Sequence, residues 1–361
     1  MARSLVQELP APPRPTGLTR RWDALQLDDE ARRLERRIAQ PQRWGRDMCR
    51  LIAPLTLEIN ALKRERDAIL LAHSYQTPDI VYGVADEVGD SYGLSKKAME
   101  APRSTIVFSS VRFMAETAKI LNPGKTVLIP EPTAGCSLAD GISAADVQRL
   151  RAAHPGVPVL GYINTTAAVK AELDACCTSA NYLRIAERLP GDELVFVPDR
   201  YMGAHLQAQL QGRKKVHVWQ GECEVHVRFD AESARAWRAA VASEGRKLLI
   251  MAHPECAPNV LAEADFIGST EAMMGYARKL EDGVDVMPIT ECGTADRLRA
   301  EQPGLRIHGA CVQCPHMKKS TLASILQVLQ EPRSDQVVHI PEADQVGARA
   351  SLDAMFRYAE S

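Results

Sequence analysis

The chain has no apolar stretch long enough to cross a bilayer, and its opening, MARSLVQELPAPPRPTGL, lacks the apolar core of a secretory signal. Membrane insertion and export are set aside, and the cytoplasm is the expected setting. Charge of one sign is missing too: 44 Lys and Arg against 46 Asp and Glu leave a net −2. That balance gives no footing for nucleic acid or a membrane surface, so a small-molecule partner is expected. Nine cysteines, an odd count with only one CxxC, fit neither a disulfide framework nor a four-cysteine zinc site. Free thiols or metal ligands remain.

What is present is a repeat. The 361 residues, 45% hydrophobic and 25% charged, have ample length for two or three cores. Apolar runs ending in polar clusters recur as AILLAHSYQ around His73, VLGYINT around Asn164 and LLIMAHPEC around His253, with spacings of 164 − 73 = 91 and 253 − 164 = 89. A second set, STIVFSSVRFMAE and ELVFVPDRYMGA, aligns Arg112 with Arg200, and ADFIGSTEAMMGYA reads as a looser third copy. Alternation of such runs with helical segments such as VRFMAETAKIL predicts an α/β fold with parallel sheets. In such sheets ligands bind beyond the carboxyl ends of the strands, where these polar clusters fall.

The expected divisions are an N-terminal extension at 1–56, α/β repeats at 57–150, 151–241 and 242–331, and a tail at 332–361 holding one strand and a closing helix. The extension opens with Pro10, Pro12, Pro13 and Pro15 and continues as DDEARRLERRIAQ, read as a solvated surface helix. A helix from Thr56 feeds the first strand.

One cysteine per repeat follows a β-rich run: Cys136, Cys223 and Cys314, at spacings of 223 − 136 = 87 and 314 − 223 = 91. Three thiols converging from equivalent loops read as a shared metal site with one coordination position left for substrate. CVQCP alone is equally half a zinc site, a redox dithiol or a cluster ligand; Cys314 is the ligand chosen, with Cys311 a candidate redox partner for it. Cys256, beside HPE, is the serious rival, and Cys49, Cys176 and Cys177 are weaker ones. Tyr75 and Glu255 end equivalent strands, the geometry of an acid/base pair. Five polar clusters on one inferred face, HSYQ, YINTT, CTSAN, HPEC and GST, suit an anionic, multiply oxygenated ligand, and Gly268-Ser269-Thr270 could offer helix N–H donors.

With AHSYQTPDI, ADEVGDS, AGCSLAD, YINTTAAVKAELD, CTSAN, WQGECEVH, AHPEC, ADFIGST and CPHMKKSTL in order, the chain closely resembles the quinolinate synthase family over roughly residues 57–330. The resemblance implies three homologous three-layer αβα domains with short parallel sheets around a pseudo-threefold axis. It also implies a [4Fe–4S] cluster on Cys136, Cys223 and Cys314. The activity implied is condensation of iminoaspartate with dihydroxyacetone phosphate to quinolinate, releasing phosphate and water, in de novo NAD biosynthesis. Substrate contacts carry over to His73, Ser91, Tyr162, Asn164, Ser179, His253, Glu255 and Thr270, with Tyr75, His253 and Glu255 catalytic. The enzyme that supplies iminoaspartate is an implied partner. Two alternatives stand beside this: a radical [4Fe–4S] enzyme of the diphthamide-synthesis type, and a zinc-stabilised scaffold without catalysis.

Overall fold

A computed structural model describes residues 17–40 and 42–360, so the Pro-rich opening through Pro15 lies outside the described residues. The first elements are α1 (Ala24–Ile38) and α2 (Arg46–Glu65), the latter starting ten residues before the expected Thr56. Three sets of alternating strands and helices follow. The first is β1 (Ala68–His73), α3 (Pro78–Gly83), β2 (Glu87–Gly89), α4 (Ser91–Glu100), β3 (Thr105–Ser109), α5 (Arg112–Leu121) and β4 (Thr126–Leu128). After α6 (Ser137–Asp140) and α7 (Ala144–Ala153) comes the second: β5 (Val159–Tyr162), α8 (Ala167–Ala171), β6 (Ala175–Cys177), α9 (Tyr182–Arg188), β7 (Glu193–Val197), α10 (Arg200–Leu210) and β8 (Lys215–Val218). Past α11 (Ala231–Ser243), the third is β9 (Leu248–Ala252), α12 (Pro258–Leu261), β10 (Phe266–Ile267), α13 (Thr270–Ala277), β11 (Asp285–Ile289), α14 (Cys292–Glu301) and β12 (Arg306–Ile307). The chain closes with α15 (Leu322–Gln330) and α16 (Glu342–Glu360).

Each set folds into a parallel four-stranded sheet, and the strand order is the same in all three: β2-β1-β3-β4, β6-β5-β7-β8 and β10-β9-β11-β12. This is the expected α/β class. The inner strands read as unbroken apolar runs because helices cover both faces. In every sheet the first strand sends its connection to one side and the third strand pairs on the other, creating a switch point between them. Chain leaving the carboxyl ends there diverges and opens a crevice. His73 and Tyr75, Tyr162 and Asn164, and His253 and Glu255 all leave from those ends.

This topology corrects the third copy of the second motif. ADFIGST is the outer strand β10, equivalent to β2 and β6, whereas the partner of β3 and β7 is β11, DVMPI. The true equivalents of SSVR and VPDR are therefore the residues of ITEC, with Arg112, Arg200 and Cys292 each opening a helix.

Two terminal readings also change. Helix α1 is not simply solvated: Ala31, Leu34 and Ile38 form a fully buried stripe, and they pack with Ile52, Leu55 and Ile59 of α2. The strand expected in the tail reduces to a single antiparallel bridge, Leu128 to Val337. Helix α16 then packs on α8 and β6, with Leu352 and Met355 buried in the core shared by the first two sheets. No helix among the described residues is long and apolar enough to cross a membrane.

Leu352→Ala should therefore lower stability by about 2–5 kcal/mol, the cost of a cavity in a closed core. Val346→Ala, on the exposed face of the same helix, should change it by less than about 0.5 kcal/mol. Equal shifts in the urea midpoints of the two variants would show that α16 is not part of the core.

Candidate functional site

One cavity gathers all twelve residues chosen from sequence. From the first set come His73, Tyr75, Ser91 and Cys136; from the second, Tyr162, Asn164, Ser179 and Cys223; from the third, His253, Glu255, Thr270 and Cys314. Helix starts present several of them. Ser91 opens α4 behind its cap Asp90, whose carboxylate accepts from Gly93 N at 2.9 Å. Thr270 opens α13 behind Ser269, which accepts from Ala272 N at 3.3 Å.

The three cysteine loops are fastened in the same way. The first amide of the helix after each third strand donates to the carbonyl two residues before the cysteine: Arg112 N to Ala134 O at 2.7 Å, Arg200 N to Gly221 O at 2.8 Å, and Cys292 N to Val312 O at 3.1 Å. That pattern singles out Cys136, Cys223 and Cys314. The rivals lie elsewhere. Cys176 and Cys177 are buried in β6, with the Cys176 thiol 3.4 Å from Ser351 Oγ on α16. Cys256 is buried in the third core, its thiol directed at Ile289 O, and Cys49 bonds Trp44 O on α2.

The cysteines also contain a surprise. Cys292 and Cys311 form a disulfide with Cα atoms 5.0 Å apart, so the pair Cys311–Cys314 and the all-thiol expectation are both corrected. The backbone bond from Cys292 to Val312 brings Cys311 onto the start of α14, while Cys314 lies in the cavity wall.

The electrostatics of the three loop thiols are distinctive. Burial pushes Cys136 up to about 12 and Cys314 up to about 11, and it raises Cys223 well above the ordinary thiol range with help from the charge of Glu255. Alone, the three would stay protonated. A metal centre, which carries the positive charge that thiolates need, matches this donor set. Asn164 adds a buried Oδ1 with no hydrogen-bond partner in the same cavity, an acceptor left for an incoming donor. Cys223, His226 and Glu255 also bring three possible ligand atoms within 4.8 Å of one another.

A continuous hydrogen-bonded chain runs along the same cavity and meets the thiols at Cys223. Thr270 Oγ1 donates to the Tyr75 hydroxyl at 3.2 Å, and that hydroxyl lies 2.7 Å from Thr290 Oγ1. Thr290 Oγ1 is 3.0 Å from His226 Nε2, and His226 Nδ1 lies 2.9 Å from Glu255 Oε2. Glu255 Oε1 accepts from the Tyr162 hydroxyl at 2.5 Å. His226 stacks on His253 at 4.7 Å and its Nδ1 also approaches Cys223 Sγ at 3.2 Å. Tyr75 and Glu255, read from sequence as an acid/base pair, are thus joined through Thr290 and His226, two residues that the sequence reading passed over. His226 stands in WQGECEVH, three residues after Cys223; Thr290 was hidden by the misplaced third copy.

Burial would raise the Glu255 carboxyl, but His226 and His253, with bonds from His226 and Tyr162, hold it below the usual range. Tyr75 and Tyr162 are raised well above theirs, first by burial. The chain therefore joins a carboxylate to two neutral phenols. His73 is lowered to about 3 by burial and by the charges of Lys318, Arg297 and His253; His253 is lowered to about 3 by burial and His226, with Glu255 opposing.

Together these features define a class: a triplicated α/β protein in which three equivalent loop thiols and a buried hydrogen-bonded chain of Tyr, Thr, His and Glu side chains share one cavity. The family model described as "Quinolinate synthetase A protein" matches residues 57–357. The chain is similar to Quinolinate synthase 2 of Mesorhizobium japonicum, at 46% identity over 81% of this chain and 88% of that one. It is similar to the quinolinate synthase of Xylella fastidiosa at 44% over 81% and 84%, and to that of Caulobacter vibrioides at 43% over 87% and 83%. The chain belongs to the quinolinate synthetase A family.

A pH dependence follows from the neutral histidines. As pH falls from about 6.5 towards 3, the unfolded chain takes up the proton that folded His73 refuses, so stability declines by about 1.4 kcal/mol per pH unit for such a group. His73→Asn should flatten the decline in urea-determined stability between pH 6 and 4 by about 1 kcal/mol per unit. A parental slope in the variant would contradict the assignment.

Proposed function

We propose that this chain is a quinolinate synthase that condenses iminoaspartate with dihydroxyacetone phosphate, releasing phosphate and water, in the cytoplasmic route to NAD. Family membership favours this small-molecule enzyme over the diphthamide-type and scaffold readings. The observation that carries it is the shared cavity, where the thiols of three equivalent loops face a carboxylate linked to two phenols. Cys136, Cys223 and Cys314 would hold a [4Fe–4S] cluster, which would supply a Lewis acid to stabilise developing negative charge.

The other roles belong to the protein. Ser91 and Thr270, at helix N-termini, receive carboxylate or phosphate oxygens, where unpaired N–H groups and the helix dipole favour an anion. Ser179 and Asn164 orient the second end of the substrate, with Asn164 Oδ1 free to accept an N–H or O–H. His73 and His253, kept neutral by burial, each offer one donor and one acceptor without adding charge. Glu255, anionic beside His226, takes the proton from carbon or nitrogen as the new bonds form. The Tyr75 and Tyr162 hydroxyls, held protonated, deliver protons to departing oxygens; Tyr75 is recharged along the path through Thr290 and His226, and Tyr162 directly from Glu255. Fixing two small substrates among these groups removes much of the entropic barrier.

Glu255→Gln should leave cluster and substrate binding intact while lowering kcat by at least about a hundredfold, the share of a positioned general base. Quinolinate formation from iminoaspartate and dihydroxyacetone phosphate by the anaerobically purified variant checks it, and turnover equal to the parent's would sink the role.

A further inference from the structure

The corrected register places Glu291 where Val111 and Asp199 stand in the first two sets, immediately before the helix that anchors a cysteine loop. Glu291 is fully buried, and both of its oxygens are engaged. Oε2 accepts from Gly293 N at 2.6 Å, capping α14. Oε1 accepts from the amide of Cys314 at 3.1 Å and from the ammonium of Lys318 at 2.9 Å. Lys318 in turn donates to the carbonyl of Tyr75. The pair therefore bridges the backbone of the third loop cysteine and the backbone of Tyr75.

A second feature shows how close these parts lie. A Cβ on Gly293 would stand 2.6 Å from Ser74 O and 2.7 Å from Tyr75 Cα, so the start of α14 rests directly on the Tyr75 turn. A buried ion pair is a poor source of net stability, because desolvation offsets most of its attraction. Its geometric effect is the stronger consequence here: both ends fall on groups of the cavity wall.

We propose that Glu291 and Lys318 are positioning residues that fix the Cys314 ligand and the Tyr75 hydroxyl relative to one another. The inference rests on the reading of Cys314 as a cluster ligand. Glu291 holds the loop so that the thiol points into the cavity, and Lys318 carries that alignment to Tyr75.

The test uses anaerobically purified holoprotein of the parent, Glu291→Gln, Lys318→Met and Lys318→Arg. Iron release to a chelator is followed at a temperature where circular dichroism shows each chain folded, alongside kcat and KM. Partners that orient metal ligands are worth about 10- to 100-fold in affinity or activity. Glu291→Gln should release iron at least about tenfold faster than the parent. Lys318→Met should lower kcat by about tenfold with KM within about twofold, and Lys318→Arg should restore most of it. Iron release from Glu291→Gln at the parental rate, or a Lys318→Met variant with parental kcat, overturns the proposal. Absence of an iron–sulfur centre from the parent itself would remove the underlying reading, and this inference with it.

Discussion

Three backbone hydrogen bonds set the geometry on which the rest depends. Each ties the first amide of a helix to the carbonyl two residues before a cysteine, at 2.7, 2.8 and 3.1 Å. The bonds are possible because each sheet has the same strand order, which brings the loop after its fourth strand to the helix after its third. With the loops so fastened, three thiols far apart in the chain line one cavity. The disulfide Cys292–Cys311 adds a covalent tie to the same joint in the third set alone.

Charge in that cavity is divided sharply. The thiols, the phenols, His73 and His253 are pushed toward their neutral forms by burial, while Glu255 is held anionic by its imidazole and phenol partners. Such an environment is costly for an isolated negative thiol and hospitable to a bound cationic centre. It also sorts proton donors from acceptors before substrate arrives, the pattern expected where titratable groups are driven apart by their surroundings.

Much of this was legible in the chain itself. The first strands of the three sets are buried on both faces and so appear as unbroken apolar runs at spacings near 90 residues, which exposed the repeat and the polar groups at its strand ends. The third strand of the last set, DVMPI, carries Asp285 and Pro288 and loses that signature, so the apolar-run alignment settled on FIGST instead. With it went Thr290 and Glu291. The buried stripe of α1 is spaced 34 − 31 = 3 and 38 − 34 = 4, a helical period masked by eight charged neighbours in a fifteen-residue helix. The disulfide joins residues 19 apart across a helix and a strand, a contact that only the folded chain defines.

The central claim is that these three loops hold an iron–sulfur cluster. Quantifying iron and acid-labile sulfide in the anaerobically purified chain tests it most directly. The account predicts about four of each per chain, lost together in Cys136→Ser. Iron without sulfide, persisting in that variant on Cys223, His226 and Glu255, would contradict it.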